Sequence, residues 1–492
     1  MRIPLKLPPG VTRPATRMDA RGRWYDSNLV RWHDGVMRAV GGWDSFLDLD
    51  TTVPQGAHAW IINADRRPRL AVGTPTELFL VDTSGSNDIA PGDLAAGEAD
   101  AGYSSGGYGV GDYGAGLYGV GDLATEFLNE ANAWSLDNYG EDLVAVSLAD
   151  GRVLYWDMSD DASATNAAPI TNSPTGCVGV LVTPEEYIVA LGADSNPRKI
   201  RWPDVDDITD WTPATNNTSD ERILPGTGAI MAGLRSAKES LVWTDTDLFA
   251  LRYVGGNFVY NVAKVGSACG PISRRSMVVM DGQAFWMGRR GFFQYNGFTQ
   301  PLPSEVGDFV FGDMNETQAS KIWAVANSRF NEVWWFYPSA GSVDCDRYVY
   351  VNVVTGAWGK GELARSAGVD SGPFPTPLWL DNTSEIFRHE VGDSYGSSTP
   401  YAESGPVVLG GGDYMMHVQE LIPDFGTSGG VQVTLYAALT ISGDETAYGP
   451  YSITDPVPLR FVGRSVRLRV EQTSTGWTFG TPALEVEMGG LR

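Results

Sequence analysis

The chain has 492 residues, 42% of them hydrophobic, and sets 60 Asp and Glu against 35 Lys and Arg for a formal net charge of −25. That length accommodates two or more domains with real cores, and that charge repels phosphates over most of the surface, which excludes a groove that grips DNA. Cys177, Cys269 and Cys345 lie far apart without a CxxC pair, so reduced, buried thiols are expected in place of a zinc knuckle or a disulfide framework. The N-terminal residues lack the apolar core of a secretion signal and no stretch approaches the length of a membrane span, so a chain made and folded in a cytoplasm, without membrane insertion, is expected.

Residues 1–44 are Pro-rich and basic at first, then dense in aromatics and charge. Met1 to Val40 carries eight basic and three acidic residues, net +5, which leaves −30 for the remainder. The pattern predicts an extended N-terminal arm that orders against an acidic partner. Its candidate interface anchors are Arg21, Arg23, Trp24, Tyr25, Arg31 and Trp32, because Trp, Tyr and Arg dominate such contacts. The competing reading is that Trp24 and Trp32 fill the first unit of the domain that follows.

From 45 to 399 the chain repeats one unit seven times: an alternating apolar strand, a polar turn and a second alternating strand rich in aromatics. The units are RLAVGTPTELFLVD (Arg69 to Asp82), DLVAVSLADGRVLYWD (Asp142 to Asp157), EYIVALGADSNPRKIRW (Glu186 to Trp202), SLVWTDTDLFALRY (Ser240 to Tyr253), QAFWMGRRGFFQYNG (Gln283 to Gly297), EVWWFYPSAGSVDCDRYVYVNV (Glu332 to Val353) and PLWLDNTSEIFRHEV (Pro377 to Val391). Most starts fall roughly 45 residues apart, a propeller-blade spacing. Isolated hairpins are marginal in water and leave open strand edges, whereas radial packing buries blade faces against one another. The fold expected is therefore all-β, a propeller of about seven blades, with six to eight allowed because such rings close with strands from both ends. Trp156, Trp202, Trp243, Trp286, Trp334, Trp335 and Trp379 are expected to pack between blades.

The first unit is followed by an insertion, AGYSSGGYGVGDYGAGLYGVGD (101–122), in which Tyr103, Tyr108, Tyr113 and Tyr118 recur every five residues. So much Gly cannot build an ordinary core, and the tyrosines predict a projecting loop that orders against a neighbour; the alternative is a floppy linker. Residues 400–492 change texture to longer alternating strands without aromatic turns, which predicts a C-terminal antiparallel β-sandwich.

Motifs for chemistry match only on paper. Gly109 to Gly114 satisfies GxGxxG without the preceding strand and following helix that a phosphate cradle needs. DVDDITD (Asp204 to Asp210) has a calcium loop's charge but lacks its Gly turn and closing Glu, and reads as surface acidity. His33, His58, His389 and His417 are dispersed, which leaves little material for a histidine metal site or triad. Asp281 and Glu332, near predicted turns, read as turn and solvent residues. No enzymatic activity, metal or cofactor is expected.

RGRWYDSNLVRWHDGVMRAVGGW (Arg21 to Trp43), DGQAFWMGRRGFFQYNG (Asp281 to Gly297) and the ending from Gly449 to Arg492 together resemble the hub or nozzle proteins of short-tailed bacteriophages, also called packaged-DNA stabilisation proteins. The resemblance implies a structural virion protein of the tail, assembled in the host cytoplasm as a homo-oligomer, six-fold in such relatives. The ring would lie below the portal and adaptor proteins, and phage DNA would be retained and ejected through it without sequence-specific binding. An acidic wall would let phosphates slide. The other function carried forward is a propeller that binds or cleaves carbohydrate, using exposed Trp and Tyr on sugar faces.

Overall fold

The computed structural model describes residues 1–62, 66–104, 127–159, 165–392, 394–440, 443–453, 456–472 and 476–491. Each of the seven units is the middle hairpin of a four-stranded antiparallel sheet. The innermost strands, unrecognised in the sequence, are Gly56–Ile61, Trp134–Tyr139, Gly179–Val182, Ile230–Arg235, Met277–Met280, Trp323–Asn327 and Ala367–Val369. Each touches the next and the seventh touches the first, so the sheets close a ring: a seven-bladed β-propeller. The seventh blade takes its outermost strand, Trp43–Asp48, from the N-terminal side, where it pairs with Glu385–His389. Ring closure thus joins distant parts of one chain, and its breakage would cost every contact of that blade edge.

The blades are held by apolar seams. One buried cluster joins blades one and two (Trp60, Leu80, Trp134, Leu143, Trp156), and comparable clusters lie between two and three, three and four, four and five, and seven and one. Trp243 of blade four meets Trp286 of blade five edge-on at 5.6 Å, and Trp334 of blade six lies 5.3 Å from Trp379 of blade seven. Burying one such side chain contributes about 1.5–3 kcal/mol. Some indole N–H groups reach backbone carbonyls, Trp134 donating to Thr74 at 2.7 Å and Trp335 to Ser276 at 3.0 Å, whereas those of Trp243 and Trp379 are buried without a partner among the described residues. The close approach of neighbouring blades also selects small residues. A Cβ on Gly73 would fall 2.2 Å from the Trp134 ring.

The C-terminal domain is a sandwich of a four-stranded and a six-stranded sheet, and the N-terminal arm is part of both. Arg2–Pro4 pairs with the final strand at Ala483 to Glu485, and Trp24–Asn28 pairs with Tyr401–Ser404. The short hairpin Val30–His33 and Val36–Ala39 continues onto Thr478–Phe479. Trp24–Asn28 also lies along the outermost strand of blade six, where Ser27 Oγ donates to the Lys360 carbonyl at 2.9 Å and Asn28 Oδ1 accepts from the Glu362 N–H at 2.9 Å. The exposed edge of that blade is thereby covered, which removes a site for stray strand pairing. Blades five to seven, the arm and the sandwich consequently share one continuous core. Among the described residues one α-helix is found, Gly307–Asp313, between blades five and six, and it left no periodic signal at seven residues.

Candidate functional site

The predicted anchors of the arm divide by depth. Arg21 is exposed. Arg23 pairs with Glu305, and Tyr25 lies under the guanidinium of Arg13 at 4.1 Å. Trp24, Arg31 and Trp32 are buried within the chain and cannot anchor a partner. The two tryptophans do not fill the first blade either: Trp24 packs on Trp32 and on Phe479 of the sandwich, both at 6.4 Å. The arm's positive charge is likewise met internally, since Arg2, Arg13, Arg17, Arg23, Arg31 and Arg38 all pair with carboxylates of this chain. Much of the net +5 is a docking signal addressed to the chain itself.

Arg31 is the centre of this seam. Its Nε lies 2.9 Å from Glu332 Oε1 in blade six, and its Nη atoms reach both oxygens of Glu390, which follows blade seven, at 2.9 and 2.5 Å. The guanidinium stacks over the Phe330 ring at 3.7 Å. Glu390 also accepts from the Gly41 N–H and from Asn327, and Glu332 accepts from the Trp334 indole. Burial pushes the Glu332 carboxyl up to about 7 against the pull of Arg31, with Glu390 adding repulsion. Burial acts the same way on Glu390, but Arg31 and its other donors hold it below the ordinary carboxylate value. The expectation that Glu332 is a solvent residue is therefore corrected: it is 1% exposed and carries the arm's cation. Asp281 is an exposed turn residue at positive φ.

Of the insertion, the structure describes only its base. Gly102–Ser104 pairs with Phe127–Asn129, and Tyr103 on this stem is 57% exposed. Tyr108, Tyr113, Tyr118 and the GxGxxG of Gly109 to Gly114 lie outside the described residues. The base is clamped to the segment before blade six: Gln318 exchanges two hydrogen bonds with the Ala101 backbone at 2.8 and 3.0 Å, Ser320 accepts from the Ala131 N–H, and Lys321 pairs with Asp100. In the acidic loop, Asp204, Asp207 and Asp210 each accept from nearby Thr or Asn groups. Their oxygens serve the turn. The three cysteines are free and buried, and burial raises their thiols, to about 12 for Cys177 and Cys345 and about 11 for Cys269.

A further concave feature lies at the propeller axis. Where the inner strands converge they enclose a cavity of about 300 Å³, lined by backbone and small residues together with His58, Asp137, Arg235, Arg274 and Arg275. On its wall the free edge of blade three is capped by side chains of blade two: Ser135 Oγ accepts from the Val180 N–H at 3.0 Å and Asp137 from the Val182 N–H at 2.8 Å. Sequence reasoning missed these arginines. The available signal was the Arg274-Arg275 pair just before the strand Met277–Met280 in a cation-poor chain.

No protein-family model matches the chain, and no curated protein matches it. Solved structures similar to it include the β-propeller domain of Cps50 (Swd1) from Myceliophteria thermophila, at 9% identity and a TM-score of 0.41, over 71% of this chain and 99% of that one. The WD40 domain of Pan2 from Neurospora crassa matches at 8% identity and 0.41, over 72% and 95%. The N-terminal domain of Nup159 matches at 8% and 0.37, over 74% and 99%. None of the three carries an argument about function, and the fold rests on the ring of paired strands itself.

Proposed function

We propose that this chain is a structural subunit of a bacteriophage tail, an oligomeric hub or nozzle that joins portal or adaptor proteins and surrounds the path of the ejected DNA. One observation supports this reading above the others. The three stretches that resemble such proteins are far apart in sequence, yet they meet in one core: Trp24, Leu29 and Trp32 from the first, Phe285 and Phe292 from the second, and Phe461, Leu468, Phe479 and Leu484 from the third. What they share is a rigid frame tying propeller to sandwich, and a frame suits a subunit that must transmit load. The 300 Å³ axial cavity is far too small for a duplex whose major groove alone is about 12 Å wide. In this reading DNA passes between subunits, at the centre of the ring.

The carbohydrate reading relied on exposed Trp and Tyr; Tyr103 and Tyr253 are exposed, but the indoles are not. All sixteen tryptophans fall among the described residues; fifteen are buried, and Trp43 is covered by His389 and Tyr395. Cryo-electron microscopy of the purified chain, alone and mixed with candidate portal and adaptor proteins, tests the proposal. A closed ring with an open, acid-lined centre is the expected result, and monomers under every condition would reject it.

A further inference from the structure

The axial cavity inverts the charge of the protein around it. In a chain with 60 acidic and 35 basic residues, its ionisable lining is three arginines and one histidine against Asp137. That carboxylate is already engaged, accepting from the N–H groups of Asn138 at 2.9 Å and Val182 at 2.8 Å, so its 3.6 Å approach to Arg235 is loose. Arg274 places Nε on Glu130 at 2.9 Å and Nη1 on the carbonyls of Ile230 and Met231, and its Nη2 has no partner among the described residues.

Arg275 is the most telling group. It donates to the carbonyls of Ser366 at 2.9 Å and Lys321 at 3.3 Å, its Nε is buried without a partner, and no carboxylate pairs with it among the described residues. Burial draws it down to about 10, so it remains a cation at neutral pH. A buried cation without a counter-charge is costly, and guanidinium forks match the oxygens of phosphate and carboxylate groups.

We propose that the axial cavity of the propeller binds a small oxyanion, phosphate- or carboxylate-bearing, held by Arg235 and Arg274 with Arg275 supplying fixed positive charge behind them. The volume lies at the lower end of small-molecule pockets, about 300–1,000 Å³. The occupant is therefore a small molecule and not a polymer. The site belongs to a single propeller and stands independently of the tail reading, since a monomer would possess it.

The test is isothermal titration calorimetry on the full chain at constant ionic strength, with inorganic phosphate and citrate as probes and sodium chloride as the control. A saturable signal near one site per chain is expected for at least one probe, and which of the two binds identifies the preferred oxyanion. Arg235→Gln should weaken it by about tenfold, the loss of one charge-assisted contact. Arg235 is partly exposed and an unchanged thermal midpoint checks that the variant folds; Lys6→Gln, on the exposed arm, should retain wild-type affinity. Absence of saturable heat with both probes, an equal response to chloride, or unaltered binding by Arg235→Gln would each overturn the proposal.

Discussion

The seam between blades four and five and the seam between the arm and blades six and seven solve the same problem with different chemistry. The first is apolar: Trp243 on Trp286, with Trp286 stacked on Phe293 and its N–H satisfied by the Cys269 carbonyl at 2.6 Å. The second buries one cation between two carboxylates. An apolar seam between repeated blades tolerates many neighbours of similar volume. The ion cluster is more selective, because without Arg31 two buried carboxylates lose their counter-charge. The repeated interfaces thus use the permissive chemistry, and the junction where Arg31 of the arm meets blades six and seven uses the selective one.

Substitutions can break the comparison directly. Arg31→Met should have the largest effect, a loss of about 3–5 kcal/mol in urea unfolding, because it strands Glu332 and Glu390. Replacing all three together (Arg31→Met, Glu332→Leu, Glu390→Leu) should recover most of that stability, and failure to recover would show that the cluster does more than neutralise itself. Trp286→Ala should lose about 3–5 kcal/mol through a cavity, with no comparable rescue available from charge removal. Gly73→Ala should cost about 1–3 kcal/mol by driving a methyl into the Trp134 ring, seen as a lowered thermal midpoint.

Acidity sharpens the contrast further. Glu332 titrates near 7 in the folded protein and from an ordinary value of 4.5 when unfolded. Between those values the folded chain holds a proton that the unfolded chain releases, so this group's contribution to stability falls as pH rises through that window. Glu332→Gln should remove about 1–2 kcal/mol of that slope between pH 5.5 and 7, measured as the urea midpoint of variant and wild type. Burial and Arg365 hold His389 well below its ordinary value, so its contribution runs the other way and is lost as pH falls below about 6.5. The smallest effect belongs to Arg2→Gln, whose pairing with Glu485 is largely exposed and should change stability by less than about 1 kcal/mol.

Sequence alone determined the all-β class, the seven repeats and the presence of a second antiparallel domain. The middle hairpins were legible because their alternation and aromatic content are local, written over 14 to 22 consecutive residues such as Ser240 to Tyr253 and Glu332 to Val353. The innermost strands were not, since crowding at the axis replaces large apolar residues with small ones, as at Gly56, Gly233 and Gly368, and so erases the pattern.

Tertiary structure alone decided three matters. Closure of blade seven by Trp43–Asp48 pairs segments more than 330 residues apart, which no local period records. Composition flagged Arg31 and Trp24 as sticky, but whether a sticky residue meets a partner or its own chain depends on what folding brings beside it, here Glu332, Glu390 and Phe479. Arg235, Arg274 and Arg275 acquire a common environment only when the ring closes, because electrostatic character at an axis is set by distance in space while the chain specifies only order.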